Sequence, residues 1–123
     1  MTNPTIKEKI AKEKDLLIRN AKFTIDYKNN KVSINQALYR LIGKPESIGL
    51  YFDESGILII PNGAIPISKD AFSNNNYNVM NPRILMENIR FIFDMENENK
   101  IKRYSIHKIT CTYLFNAVLV KVR

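Results

Sequence analysis

The stretch NKVSINQALYRLIGKPESIGLYFDESGILII, residues 30–60, carries most of the local folding information in this chain. Val32 and Ile34 alternate with Lys31 and Ser33, the period-two pattern of a strand with one buried face. Asn35 offers a side-chain oxygen where a helix needs an N-cap. Ala37, Leu38, Leu41 and Ile42 then fall on one face of about two helical turns. Gly43 ends that helix, since a residue free to take positive φ reverses the chain there at least cost, and Pro45 prevents its resumption. Residues 48–53 and 57–60 read as strands around Glu54-Ser55-Gly56, a compact hairpin whose glycine is assigned to the turn.

Upstream, Thr5 and Glu8 with Pro4 just outside have the spacing of a capping box, which predicts a helix over residues 5–20. Ile6, Ile10, Leu17 and Ile18 give it a thin apolar stripe, and Glu8, Lys9, Lys12 and Glu13 supply i,i+4 pairs on a wet face. Such a helix either covers the body of the fold or mediates an oligomer. KFTIDY, residues 22–27, alternates apolar and polar residues as a half-buried strand, and Lys28-Asn29-Asn30 follows as a turn.

Downstream, residues 62–80 hold proline, glycine and an asparagine-rich tail, which predicts a connecting loop or arm. Asn81-Pro82 then starts a helix. Ile84, Leu85, Met86, Ile89, Phe91, Ile92, Phe93 and Met95 line it on most sides, as expected of a long apolar helix at the centre of the molecule. After the polar residues 96–100, strands are expected near 102–113 and 116–122. The expected fold is α+β in a single domain over residues 1–123, ordered α, ββ, α, ββ, α, ββ. It comprises an N-terminal helix (1–21), a short-helix and β-hairpin unit (22–61), a loop (62–80), then the long helix and a C-terminal antiparallel hairpin (81–123).

Composition narrows the function. The 45% hydrophobic and 25% charged fractions are those of a globular protein. No apolar run approaches the roughly 20 residues of a membrane helix, and the N-terminus lacks the apolar centre of a secretory signal. A cytoplasmic location is the resulting expectation, with which the single cysteine, Cys111, agrees. A net charge of +7 and a pI near 9.6 draw polyanions at long range. The segment from residue 99 onward carries Lys100, Lys102, Arg103, Lys108, Lys121 and Arg123 and no acid.

Catalytic patterns are missing from the sequence. His107 is the one histidine and has no identifiable partner, and Cys111 sits between threonines with nothing to lower its pKa. Asp53 and Glu54 belong to a hairpin tip, and Asp94, Glu96 and Glu98 to a helix end. The four glycines never form a phosphate-binding loop. Neither an enzyme nor a metal or other cofactor is expected.

Residues 23–61 resemble the swapped-hairpin DNA-binding family of AbrB and MazE. In that family a V-x-I-P strand end leads into a short E-L-R-x-x-L-G helix and a hairpin with an acidic tip. Here Val32-Ser33-Ile34-Asn35 stands at the strand end, Ala37 through Gly43 at the helix, and Leu50 through Ile60 at the hairpin. Asn35 replaces the family proline, Ala37 the helix acid and Tyr39 one arginine. The S-I-x-x-A-L-x-x-L-G-x-P run is also similar to openings of proteins of Gram-positive phages and mobile elements.

The resemblance implies an interleaved homodimer and a role as a transcriptional regulator or accessory factor on duplex DNA. It places Lys31 and Arg40 at the family's basic positions, with Lys22 and Lys28 nearby. The C-terminal charge adds Lys102, Arg103 and Lys108 as candidate phosphate contacts. The competing readings are that Arg40 is a solvated helix residue and Lys31 an edge lysine that blocks aggregation. RNA is a second possible nucleic acid, with Tyr104 and Tyr113 stacking on bases. The alternative function is a protein-interaction module, antitoxin-like or a phage-encoded inhibitor, whose basic face meets an acidic partner.

Overall fold

The structure is a computed structural model that describes residues 6–72, 75–111 and 116–123. The capping box expected at Thr5 and the expected stacking residue Tyr113 lie outside the described residues. In chain order the elements are α1 (Ile6–Asn20), β1 (Lys22–Asp26), β2 (Lys31–Asn35), α2 (Gln36–Leu41), β3 (Ser47–Phe52) and β4 (Gly56–Pro61). They continue with β5 (Ile65–Lys69), β6 (Asn76–Val79), α3 (Arg83–Ile92), β7 (Ile101–Ser105), β8 (Lys108–Cys111) and β9 (Asn116–Lys121).

The strands form one antiparallel sheet in the order β7-β1-β2-β6-β5-β3-β4-β9-β8. Its two edges, β7 and β8, are separated in the chain by only Ile106 and His107. Eight inter-strand spacings of ~4.8 Å would set the edges of a flat sheet ~38 Å apart, whereas so short a link reaches about 10 Å. The sheet therefore curls into a half-barrel, and β7 comes into contact with β9 across the opening.

Alternation sends one set of side chains to the concave side. Phe23, Ile25, Val32, Ile34, Ile57, Ile59, Val118 and Val120 are fully buried there, each burial stabilising by about 1.5–3 kcal/mol. Leu38, Leu41 and Ile42 from the α2 region close one end of the trough. Met86, Ile89 and Phe93 from the α3 region close the other, with Phe93 edge-on to Phe52 at 6.4 Å.

This architecture overturns the expected α+β fold of a hairpin unit followed by a long apolar helix and a C-terminal hairpin. Strands dominate, and α3 is a ten-residue helix that lies on the sheet end with one face in solvent. Ile84 and Phe91 are 71% and 77% exposed, so the dense apolar run supplies two faces and not one buried core helix. The expected loop at 62–80 contains β5 and β6, where Ile65 and Ile67 and then Tyr77 and Val79 alternate inward beneath a covering of prolines and asparagines. The expected last hairpin is three strands, broken at Ile106–His107.

Arg90 fastens α3 to the sheet. Its Nη1 donates to the carbonyls of Met95 (3.0 Å), Glu96 (3.3 Å) and Glu98 (2.8 Å), and its Nη2 to Tyr27 O (2.7 Å) and Asn30 Oδ1 (3.0 Å). The guanidinium also lies 5.3 Å from the centroid of the Tyr27 ring. Only a planar fork with several donors meets that many acceptors at once. Arg90→Met should cost about 2–3 kcal/mol in urea unfolding, because it strands partly buried carbonyls. Arg83→Met, at a side chain 91% exposed and 3.7 Å from Glu87, should change stability by less than about 0.5 kcal/mol.

Candidate nucleic-acid interface

The outward face of the half-barrel follows from register, since residues directly opposite in an antiparallel pair share a face. Thr24 stands opposite Arg103 on one side and Ser33 on the other; Ser33 stands opposite Asn78, and Asn78 opposite Ser68. Arg103, Thr24, Ser33, Asn78 and Ser68 thus form one continuous row across five strands, roughly 19 Å wide at ~4.8 Å per strand. Beside it runs Ser105 opposite Lys22, and Asn35 opposite Asn76. On the other flank stand Ile101, Asp26 and Lys31.

Local chemistry holds this face in place. The Asn35 side chain accepts from the N–H of Leu38 and of Lys22, both at 3.0 Å, and donates to Asn20 O at 2.7 Å. One residue therefore caps α2, sets the start of β1 and ties the end of α1. Lys22 Nζ donates to Ser105 Oγ at 2.6 Å, across β1 and β7. At the far end Asp26 accepts from the N–H groups of Lys28 (3.0 Å) and Asn29 (2.9 Å) and from Asn29 Nδ2 (2.9 Å), which folds the turn to Asn30 at φ 55°.

The structure brings together Lys22, Lys31 and Arg103, with Lys28 in the adjoining turn. It does not bring the other cations to this face. Lys102 stands opposite Ile25 on the concave side and pairs with Glu98 at 3.3 Å. Arg40 is exposed on α2 beside Glu13, Leu16 and Leu17 of α1. Lys108 stands opposite Leu119, which stands opposite Leu58, and Leu58 opposite Tyr51, so it belongs to an apolar row on the other half of the sheet. Tyr104 stands opposite buried Phe23 and faces inward, and burial raises its pKa. Tyr39 stacks on Tyr77 at 3.8 Å and is a packing residue.

Thr24, Ser33, Ser68 and Asn78 were missed by sequence reasoning. Their one signal was polar residues at every second position of short strands, and only pairing shows that they line up. Among the described residues no group of histidine, cysteine and carboxylate side chains is placed to hold a metal ion. Among the same residues no helix is long and apolar enough to cross a membrane. The arrangement offers cationic and neutral hydrogen-bond donors over an extended surface. Compared with family models, curated proteins and solved structures, the chain matches none.

Asp26 is the acid within this face. Slight burial pushes its carboxyl up, but the bonds from Asn29 and Lys28 and the charge of Lys31 outweigh that and leave it below the ordinary 3.8. A depressed folded pKa stabilises above the unfolded value and loses that contribution as pH falls through the folded one. Urea midpoints should therefore drop more steeply for the parent than for Asp26→Asn between about pH 5 and pH 2. Parallel curves would remove this account of the turn.

Proposed function

We propose that this protein binds duplex DNA through the sugar-phosphate backbone, using the convex face of β7, β1, β2, β6 and β5. The observation that carries the reading is the row from Arg103 to Ser68 flanked by Lys22 and Lys31. Lysine and arginine meet phosphate charge, while serine, threonine and asparagine supply the neutral bonds that orient a protein on a backbone. The net charge of +7 adds long-range attraction. No aromatic ring stands in these rows, so unpaired bases gain no stacking there, and the higher charge density of a duplex favours it over a single strand.

The cation count gives a quantitative expectation. Three phosphates neutralised by Lys22, Lys31 and Arg103 correspond to a slope of log K against log salt of about −2.7. Fluorescence anisotropy with a labelled duplex should give that slope. Each of Lys22→Ala, Lys31→Ala and Arg103→Ala should reduce it by about one unit and weaken binding irrespective of DNA sequence. Lys108→Ala and Arg40→Ala should leave the slope in place. Absence of binding at ~50 mM salt, or unchanged binding in the triple variant, would overturn the assignment.

A further inference from the structure

We propose that the outer face of α1 is a dimerisation surface, taken by the same helix of a second copy running antiparallel to it. α1 has 15 residues, about 22 Å at 1.5 Å per residue, and rests on the body through α2, whose six residues span about 9 Å. Its first half therefore overhangs. Ile6 and every residue from Glu8 to Glu13 are exposed, Ile6 and Ile10 by 78% and 59%. Leu17 and Ile18 turn toward the body and are half-buried, whereas Leu16 on the adjacent face is 53% exposed.

The order of residues on that open face points to its occupant. Ile6, Lys9, Glu13 and Leu16 follow one another at intervals of three, four and three residues, the a/d seam of a coiled coil, with Ile10 alongside. The seam reads apolar, cation, anion, apolar. Laid antiparallel on itself, with the two-fold axis at the level of Ala11, it brings Ile6 against Leu16 and Lys9 against Glu13 of the second copy. Symmetry then repeats both pairs, as an isologous interface requires. A parallel pair would set lysine on lysine and glutamate on glutamate. Among the described residues neither Lys9 nor Glu13 has a salt-bridge partner within the chain.

The surface around Leu16 suits the incoming isoleucine. Leu16 stands between two clefts, one of about 410 Å³ lined by Glu13, Leu16, Leu17 and Arg40 and one of about 260 Å³ lined by Lys12, Asp15, Leu16 and Arg19. The antiparallel register puts Ile6 of the second copy at that height, a knob beside a hole. The two sheets then lie at opposite ends of the helix pair. The chains are joined by helices and exchange no hairpin, because β3 and β4 already pair within the chain. Three apolar side chains per copy and an exposed ion pair made twice form a small interface, so the dimer dissociates on dilution through the micromolar range. The proposal does not rest on the DNA-binding face.

Sedimentation equilibrium tests it. The parent should pass from the single-chain mass of 14.3 kDa to twice that mass as concentration rises. Lys9→Glu and Glu13→Lys, each at an exposed site, should each weaken self-association at least about tenfold, because each sets like charges opposite one another twice. Mixed in equal amounts, these two variants should form a heterodimer, since one presents two acids and the other two lysines. The chain carrying both substitutions should self-associate like the parent. Leu16→Asp should leave a monomer whose melting curve matches that of the parent at dilutions where the parent is also monomeric. A parent that stays monomeric up to about 1 mM, a mixture that does not associate, or a dimer that survives Leu16→Asp overturns the proposal.

Discussion

The link Ile106–His107 is the constraint on which the fold rests. It joins the two edges of a nine-stranded sheet, and so short a link cannot bridge the width of a flat sheet. Curling follows, and with it a concave side deep enough to bury an almost wholly aliphatic and aromatic core and a convex side left to solvent. Because register puts every second residue on one side, curling also decides which polar residues face outward together.

The trough would stay open at both ends without two polar latches. At one end Asn35 joins α1, β1 and α2 through three hydrogen bonds. At the other, Arg90 gathers carbonyls from the loop after α3 and from the β1–β2 turn. The Asn35 latch satisfies orphaned backbone groups at the ends of α1 and α2, so there helix capping and tertiary closure are the same interaction, whereas Arg90 closes its end by gathering loop and turn carbonyls. The convex face is built from strands held at both ends in this way, which keeps its donors at fixed spacing.

Features set by neighbours in the chain were legible in the sequence. The cap at Asn35, the stop at Gly43 with φ 94°, the turn at Asn30 and the strands flanking them need only local rules. Gly56 was legible as essential but for the wrong reason: its φ is not positive, and a Cβ there would meet Val120 O at 2.3 Å where β4 pairs with β9. What depended on long-range pairing was not legible. β5 and β6 are stabilised by β3 and β2, so their prolines and asparagines read as loop. Ile84 and Phe91 share one helical face by their seven-residue spacing, but that this face turns outward is decided by the burial of Met86, Ile89 and Phe93 against the core. Likewise, the row that unites Arg103 with Thr24, Ser33 and Asn78 exists only once β7, β1, β2 and β6 are side by side.

The convex surface thus divides into a cationic, hydrogen-bonding half and an apolar half that includes the 60% exposed Tyr51. This division gives the functional account its central claim, that DNA meets one half only. Amide-correlation NMR during titration with a short duplex tests it most directly. The account predicts shifts along Lys22–Asp26, Lys31–Asn35, Asn76–Val79 and Ile101–Ser105, with Ser47–Phe52 and Lys108–Cys111 unmoved. Shifts concentrated on the latter strands, or none at low salt, would contradict it.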